Sequence, residues 1–132
     1  VLSGPVTFAV GAGRIELGDW QTNGLPAYSG GLRYRRTVSV PNGVSLKAAV
    51  LDLGETRGTV DVVCNGQSAG MRFLGPYQFE IGPLLHEGEN QLEIVVCNTL
   101  APYLEASTPT PYVFEGQTRS GLFGPVQIKF LA

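Results

Sequence analysis

Asn-Gly at 23–24, 42–43 and 65–66 and Gly-Pro at 4–5, 75–76, 82–83 and 124–125 cut this chain into short pieces. Glycine accepts positive φ and proline fixes φ near −65°, so each pair turns the backbone rather than extending a helix. No segment carries a capped helical period of useful length. The runs between the turns are rich in Val, Leu, Ile, Phe and Tyr, the residues of half-buried strands. Strands are predicted at about 5–10, 13–18, 31–40, 46–53, 58–64, 67–73, 77–81, 91–97 and 125–131. In "TVDVVCNGQSAGMRF", Asn65-Gly66 suits a type I′ hairpin turn, and "GPLLHEGEN" suits a single helical turn running into a loop. Many short strands with almost no helix imply an all-β antiparallel sandwich or a barrel.

The chain has 132 residues, which is one domain able to bury about two-thirds of its unfolded surface. It begins at Val1, without methionine, and is expected to be a fragment of a longer polypeptide. Only 15% of the residues are charged and the net charge is −2. General nucleic-acid binding needs a clustered basic surface, so it is disfavoured. No apolar run approaches the ~20 residues of a membrane span, and no signal-peptide pattern opens the chain.

The most charged strand is "YSGGLRYRRTVSV", Tyr28 to Val40. Alternation places Leu32, Tyr34, Val38 and Val40 on one face, and Arg33, Arg35, Thr37 and Ser39 on the other. The second set is the polar exterior of a half-buried antiparallel strand. Arg36 shares the apolar face, so it is expected to be buried and to need a carboxylate or several carbonyls. Cys64 and Cys97 are too few for a disulfide framework and are read as two small buried thiols. Cys64 shares parity with Val60 and Val62, whereas Leu92, Ile94 and Val96 exclude Cys97. The two sulfurs therefore point to different sides and cannot bridge.

Five elements stand in order along the chain: "LGDW…LPAYSGGLRYRRTVSVP", "LDLGETRG", the "TVDVVCNGQSAG" hairpin, "PYQFEIGPLLHEGENQLEIVVCNTL" and "SGLFGPVQI". This order, from about Leu17 to Phe130, resembles the sugar-binding domain of family 2-type glycoside hydrolases. It is most similar to the ancillary galactose-binding-like domains of large bacterial glycosidases, including rhamnosidase-like ones. The resemblance implies a jelly-roll sandwich of eight to nine strands, in agreement with the strand reading. It also implies a secreted or periplasmic setting, and a catalytic acid and nucleophile housed in a separate barrel domain. Cys64 and Cys97 depart from the family pattern, and the loop from Thr99 to Ser120 is long for a compact domain.

Hydrolysis of a glycosidic bond needs two placed carboxylates, and nothing in the sequence pairs the eleven acidic residues. His86, the one histidine, sits in a polar turn, and no nucleophile elbow or phosphate loop occurs. No catalytic residue is expected. No cofactor or metal ligand set is expected either, although calcium is common in sandwich domains of this resemblance.

Three functions are weighed. The first is an accessory domain that packs on the catalytic domain of the same polypeptide and shapes its cleft. The second is an autonomous carbohydrate-binding module. The third, a nucleic-acid-binding barrel, conflicts with the charge. Sugars bind through aromatic faces and planar hydrogen-bonding groups, which nominates Trp20, Tyr28, Arg33, Tyr103, Tyr112 and Arg119 for weak carbohydrate binding. For Trp20 and Tyr28 the favoured reading is core plugs at one end of the sandwich, with Trp20 expected to belong to the core.

Overall fold

The computed structural model describes residues 17–20, 22, 29–99 and 119–130. The strand expected at 5–10, and all of that at 13–18 except Leu17 and Gly18, lie outside the described residues. Leu17 and Gly18 themselves form a bend. The described strands are β1 Gly31–Val40, β2 Val50–Asp52, β3 Glu55–Arg57, β4 Thr59–Cys64, β5 Gln67–Arg72, β6 Gln78–Glu80, β7 Gly88–Cys97, β8 Gly121–Gly124 and β9 Gln127–Lys129. The helical turn is a 3-10 turn at Gly82–Leu84, started by Pro83, where a missing N–H costs nothing.

The strands form a four-stranded sheet ordered β1-β7-β4-β5, a three-stranded sheet ordered β6-β2-β9, and a β3-β8 ribbon. All their pairings are antiparallel. The domain is an antiparallel β-sandwich. Register lines up inner-face rows across the larger sheet: Leu32–Val96–Val60, then Tyr34–Ile94–Val62, then Leu92–Cys64, with Arg36 at the exposed end of the last row. Facing them, Phe79–Leu51–Ile128 crosses the smaller sheet. Val60, Val62, Val96, Leu51 and Phe79 are fully buried. Each such side chain contributes about 1.5–3 kcal/mol over its exposed state.

The hairpin turn is as the sequence predicts. Asn65 (φ 51°) and Gly66 (φ 80°) both take the left-handed conformation a type I′ turn requires. The Asn65 side chain then ties the turn to the loop before β7. Its Nδ2 donates to Leu84 O and to Asn90 Oδ1, both at 2.8 Å, and its Oδ1 accepts from Gln91 N at 2.8 Å. Asn90 is buried, accepts from His86 N and donates to His86 O and Gly88 O. A buried amide is tolerated when its donors and acceptors are matched, as they are here.

Four expectations need correction. Arg36 keeps the parity of the apolar face but is exposed; among the described strands β1 lies at one edge of the larger sheet. Solvation takes the place of the partner that burial would have required. Cys97 is exposed rather than buried, whereas Cys64 is buried; both are free, on opposite faces as parity requires. β2 is shorter than 46–53, since Leu46 O turns to accept from Ala49 N at 3.2 Å. Finally, β3 and β8 were not anticipated. Gly54 (φ 66°) and Gly58 (φ 132°) bracket β3 and disguise it as a loop.

Candidate functional site

Two regions of the surface carry the candidate residues. The first is the end of the sandwich where β1 begins, β7 ends and β8 begins. Asn98 links the three: its Oδ1 accepts from Gly30 N at 2.7 Å and its Nδ2 donates to Ser120 Oγ at 3.0 Å. Trp20 lies at this end, its backbone N donating to Ser120 O at 3.0 Å. Its ring is 1% exposed, and its Nε1 donates to Tyr34 Oη at 2.7 Å. A Cβ on Gly121 would come within 2.7 Å of that ring, so the indole lies directly against the β8 backbone. Trp20 is therefore a core plug and offers no face for a sugar to stack on, which removes it from the carbohydrate candidates. Burial also pushes the Tyr34 hydroxyl above its ordinary range, against the hydrogen bonds from Trp20 and the Leu122 backbone.

Arg119 borders the same end. Its guanidinium lies 4.6 Å from the Phe123 ring centroid, and its Nη1 is 3.3 Å from Glu55 Oε1. Stacking and pairing together fix the planar group with its edge partly exposed. Arg33 is on the outer face of the larger sheet, opposite Val95. It lies 4.0 Å from Glu93 Oε2, while Arg35 Nε approaches Glu93 Oε1 at 3.2 Å. Such exposed pairs are worth about 0–1 kcal/mol each and mark the strand's polar exterior. Tyr28, Tyr103 and Tyr112 lie outside the described residues. Of the six candidates, the structure brings Trp20 and Arg119 to one end and leaves Arg33 on the sheet face.

The second region is an open groove between β3 and the segment joining β5 to β6. Its lining includes Glu55, Arg57, Leu74, Pro76 and Tyr77. The Tyr77 hydroxyl donates to Gly58 O at 2.8 Å, which binds the two walls together. Glu55 is engaged by Arg119, whereas Arg57 has no ion pair among the described residues. Leu74 of this lining is exposed (70%), as are Phe73 (67%) directly before it and Met71 (52%) on β5. The sequence reading passed over these residues. Their signal was the pair Phe73-Leu74 directly ahead of Gly75-Pro76, where two adjacent apolar residues cannot both face one core.

Among the described residues, no group of His, Cys, Asp and Glu is arranged to hold a metal ion. Among the described residues, cations hold Asp52 (Lys129 at 2.9 Å), Glu55 (Arg119) and Glu93 (Arg35). No described helix is long and apolar enough to cross a membrane.

No protein-family model and no curated protein matches the chain. Among solved structures, its neighbours are glycoside hydrolases. The rhamnosidase of Novosphingobium sp. PP1Y matches at a TM-score of 0.65 and 29% identity, over 80% of this chain and 11% of that one. The β-glucuronidase of Bifidobacterium dentium, complexed with coumarin-3-O-glucuronide, matches at 0.55 and 32%, over 61% of this chain and 14% of that one. The β-D-glucuronidase of Dictyoglomus thermophilum shares the fold at 0.53 and 24%, over 61% and 15%. This chain therefore corresponds to a small section of each enzyme, which fits an accessory sandwich domain of the family 2 type.

Proposed function

We propose that this chain is a non-catalytic accessory domain of a bacterial glycoside hydrolase, packing on the catalytic domain and shaping or extending its substrate cleft. The observation that carries the reading is a relation of size. Most of this chain aligns with about a ninth of a rhamnosidase at 29% identity, and with similar sections of other glycosidases. The described carboxylates that cations hold favour a structural use of acid groups over acid–base chemistry. A secreted or periplasmic enzyme is part of the same reading. In this reading carbohydrate contact by the domain is weak: Trp20, the one tryptophan, is buried, and Tyr28, Tyr103 and Tyr112 lie outside the described residues.

The test starts from the reading frame that encodes this chain. The full polypeptide is expected to hydrolyse an aryl glycoside, and residues 1–132 alone are expected not to. Deleting the domain should raise KM or lower thermal stability. A reading frame without a further domain, or hydrolysis by the 132-residue chain itself, would overturn the reading.

A further inference from the structure

The exposed large apolar residues among those described are Leu17, Met71, Phe73 and Leu74, and three of the four fall within four consecutive positions. An isolated exposed leucine is ordinary, but a cluster of this kind marks a contact surface. Among the described strands β5 ends the four-stranded sheet, and Met71 lies on it. Phe73 and Leu74 follow directly. A sheet edge with apolar side chains attracts partners unless something covers it. The adjoining groove adds a charge. Glu55 is paired with Arg119, and among the described residues Arg57 has no ion pair.

On these grounds we propose that Met71, Phe73, Leu74 and Arg57 form the surface by which this domain docks on the catalytic domain of its own polypeptide. This assignment rests on the accessory-domain reading and adds the face to it. The occupant it fits presents an apolar hollow for Phe73 and Leu74, with a carboxylate opposite Arg57. Methionine, aromatic residues and arginine are the side chains enriched in interface cores, which matches the composition of this patch. A flexible free sugar fits it less well, since the aromatic ring that lines the groove, Tyr77, is largely buried with its hydroxyl committed to Gly58.

The test is hydroxyl-radical footprinting read by mass spectrometry, on the 132-residue chain and on the full polypeptide. Met71 is the chain's one methionine, which makes its oxidation a clean single-site signal. Oxidation of Met71 and Phe73 is expected to be several-fold slower in the full polypeptide. Phe73→Ser with Leu74→Ser should restore fast oxidation of Met71 there, while leaving the melting temperature of the isolated chain unchanged. Arg57→Glu should restore part of it. Protection confined to another face, with Met71 and Phe73 as reactive as in the isolated chain, would overturn the docking assignment and leave the accessory reading standing. Absence of protection at every residue would overturn both. Protection that grows with concentration in the isolated chain would assign the patch to a second copy and overturn the proposal.

Discussion

The Trp20 indole N–H donates to the Tyr34 hydroxyl oxygen at 2.7 Å, joining the segment before β1 to the inner face of the larger sheet. The pair closes the end of the core beside Gly121, and each ring supplies apolar area while its polar tip finds the other.

Truncating this pair should cost stability in two separable ways. Trp20→Ala removes a buried aromatic, at about 3–5 kcal/mol, enough to unfold a marginal domain. Tyr34→Phe keeps the ring but leaves the indole N–H without its acceptor, at about 1–3 kcal/mol. Urea denaturation followed by circular dichroism gives both values. Native stability in Trp20→Ala would show that the ring is not a core element.

Thr56 offers the opposite case. It is 5% exposed, sits opposite Leu122 in the β3-β8 ribbon, and its Oγ1 has no hydrogen-bond partner among the described residues. Thr56→Val preserves the shape and deletes the unsatisfied hydroxyl. The variant should be more stable by about 1 kcal/mol, since an orphaned buried polar group costs about 1–3 kcal/mol. A lower urea midpoint than the parent would mean that the hydroxyl has a partner in solution.

The two thiols should separate by reactivity. Cys97 is exposed, whereas Cys64 is buried and burial pushes its thiol up. An aromatic disulfide reagent should titrate one thiol in the native chain and two in denaturant, both without reductant. Cys97→Ser should abolish the native reaction. Two fast thiols would place Cys64 outside the core.

The stability of the domain should fall in acid partly through Asp52. Its carboxyl is lowered, first by the hydrogen bond from Lys129 and then by that from Gly54 N. A carboxylate with a lowered folded pKa stabilises above its unfolded value of about 3.9, and the contribution is lost as pH falls through the folded pKa. Asp52→Asn should therefore be less stable than the parent at pH 6, with the gap closing below about pH 4. An unchanged gap at pH 2 would assign the effect to packing.

Simple sugars should bind weakly. Galactose, rhamnose and glucuronic acid are expected to bind the 132-residue chain in the millimolar range or worse, since one or two contacts barely offset the cost of association. Because Trp20 is buried, nuclear-resonance shifts are the appropriate readout. Micromolar affinity would favour an autonomous carbohydrate-binding module.

The parts of the fold that could be read in the sequence are those with strong local rules. β1 was placed at its observed bounds by alternation, and the Asn65-Gly66 turn by its need for positive φ at both positions. Thiol separation followed from parity alone. β3 escaped because three residues between two glycines carry no period, and its partner β8 is more than sixty residues away. Arg36 was misjudged because parity reports which face a residue is on, not whether another layer covers that face. The functional surface was the least legible. Trp20 in a turn-rich segment looks the same in sequence whether it points inward or outward, and exposure of Phe73 depends on where the smaller sheet ends.

The pairing of β1 with β7 joins residues 48 to 66 positions apart, from Val40↔Gly88 to Gly31↔Cys97. During synthesis at about 5–20 residues per second, β1 must therefore wait several seconds before its partner leaves the ribosome. For that interval a ten-residue β-prone strand stands unpaired, which is when such segments aggregate. Arg33, Arg35 and Arg36 lie within it, and mutual repulsion keeps copies on neighbouring nascent chains apart. Only when Glu93 arrives on β7 are two of these charges partnered. Charge placed within a β-prone segment opposes such aggregation, a consequence hidden in the finished sheet, where Arg33 and Arg35 reach Glu93.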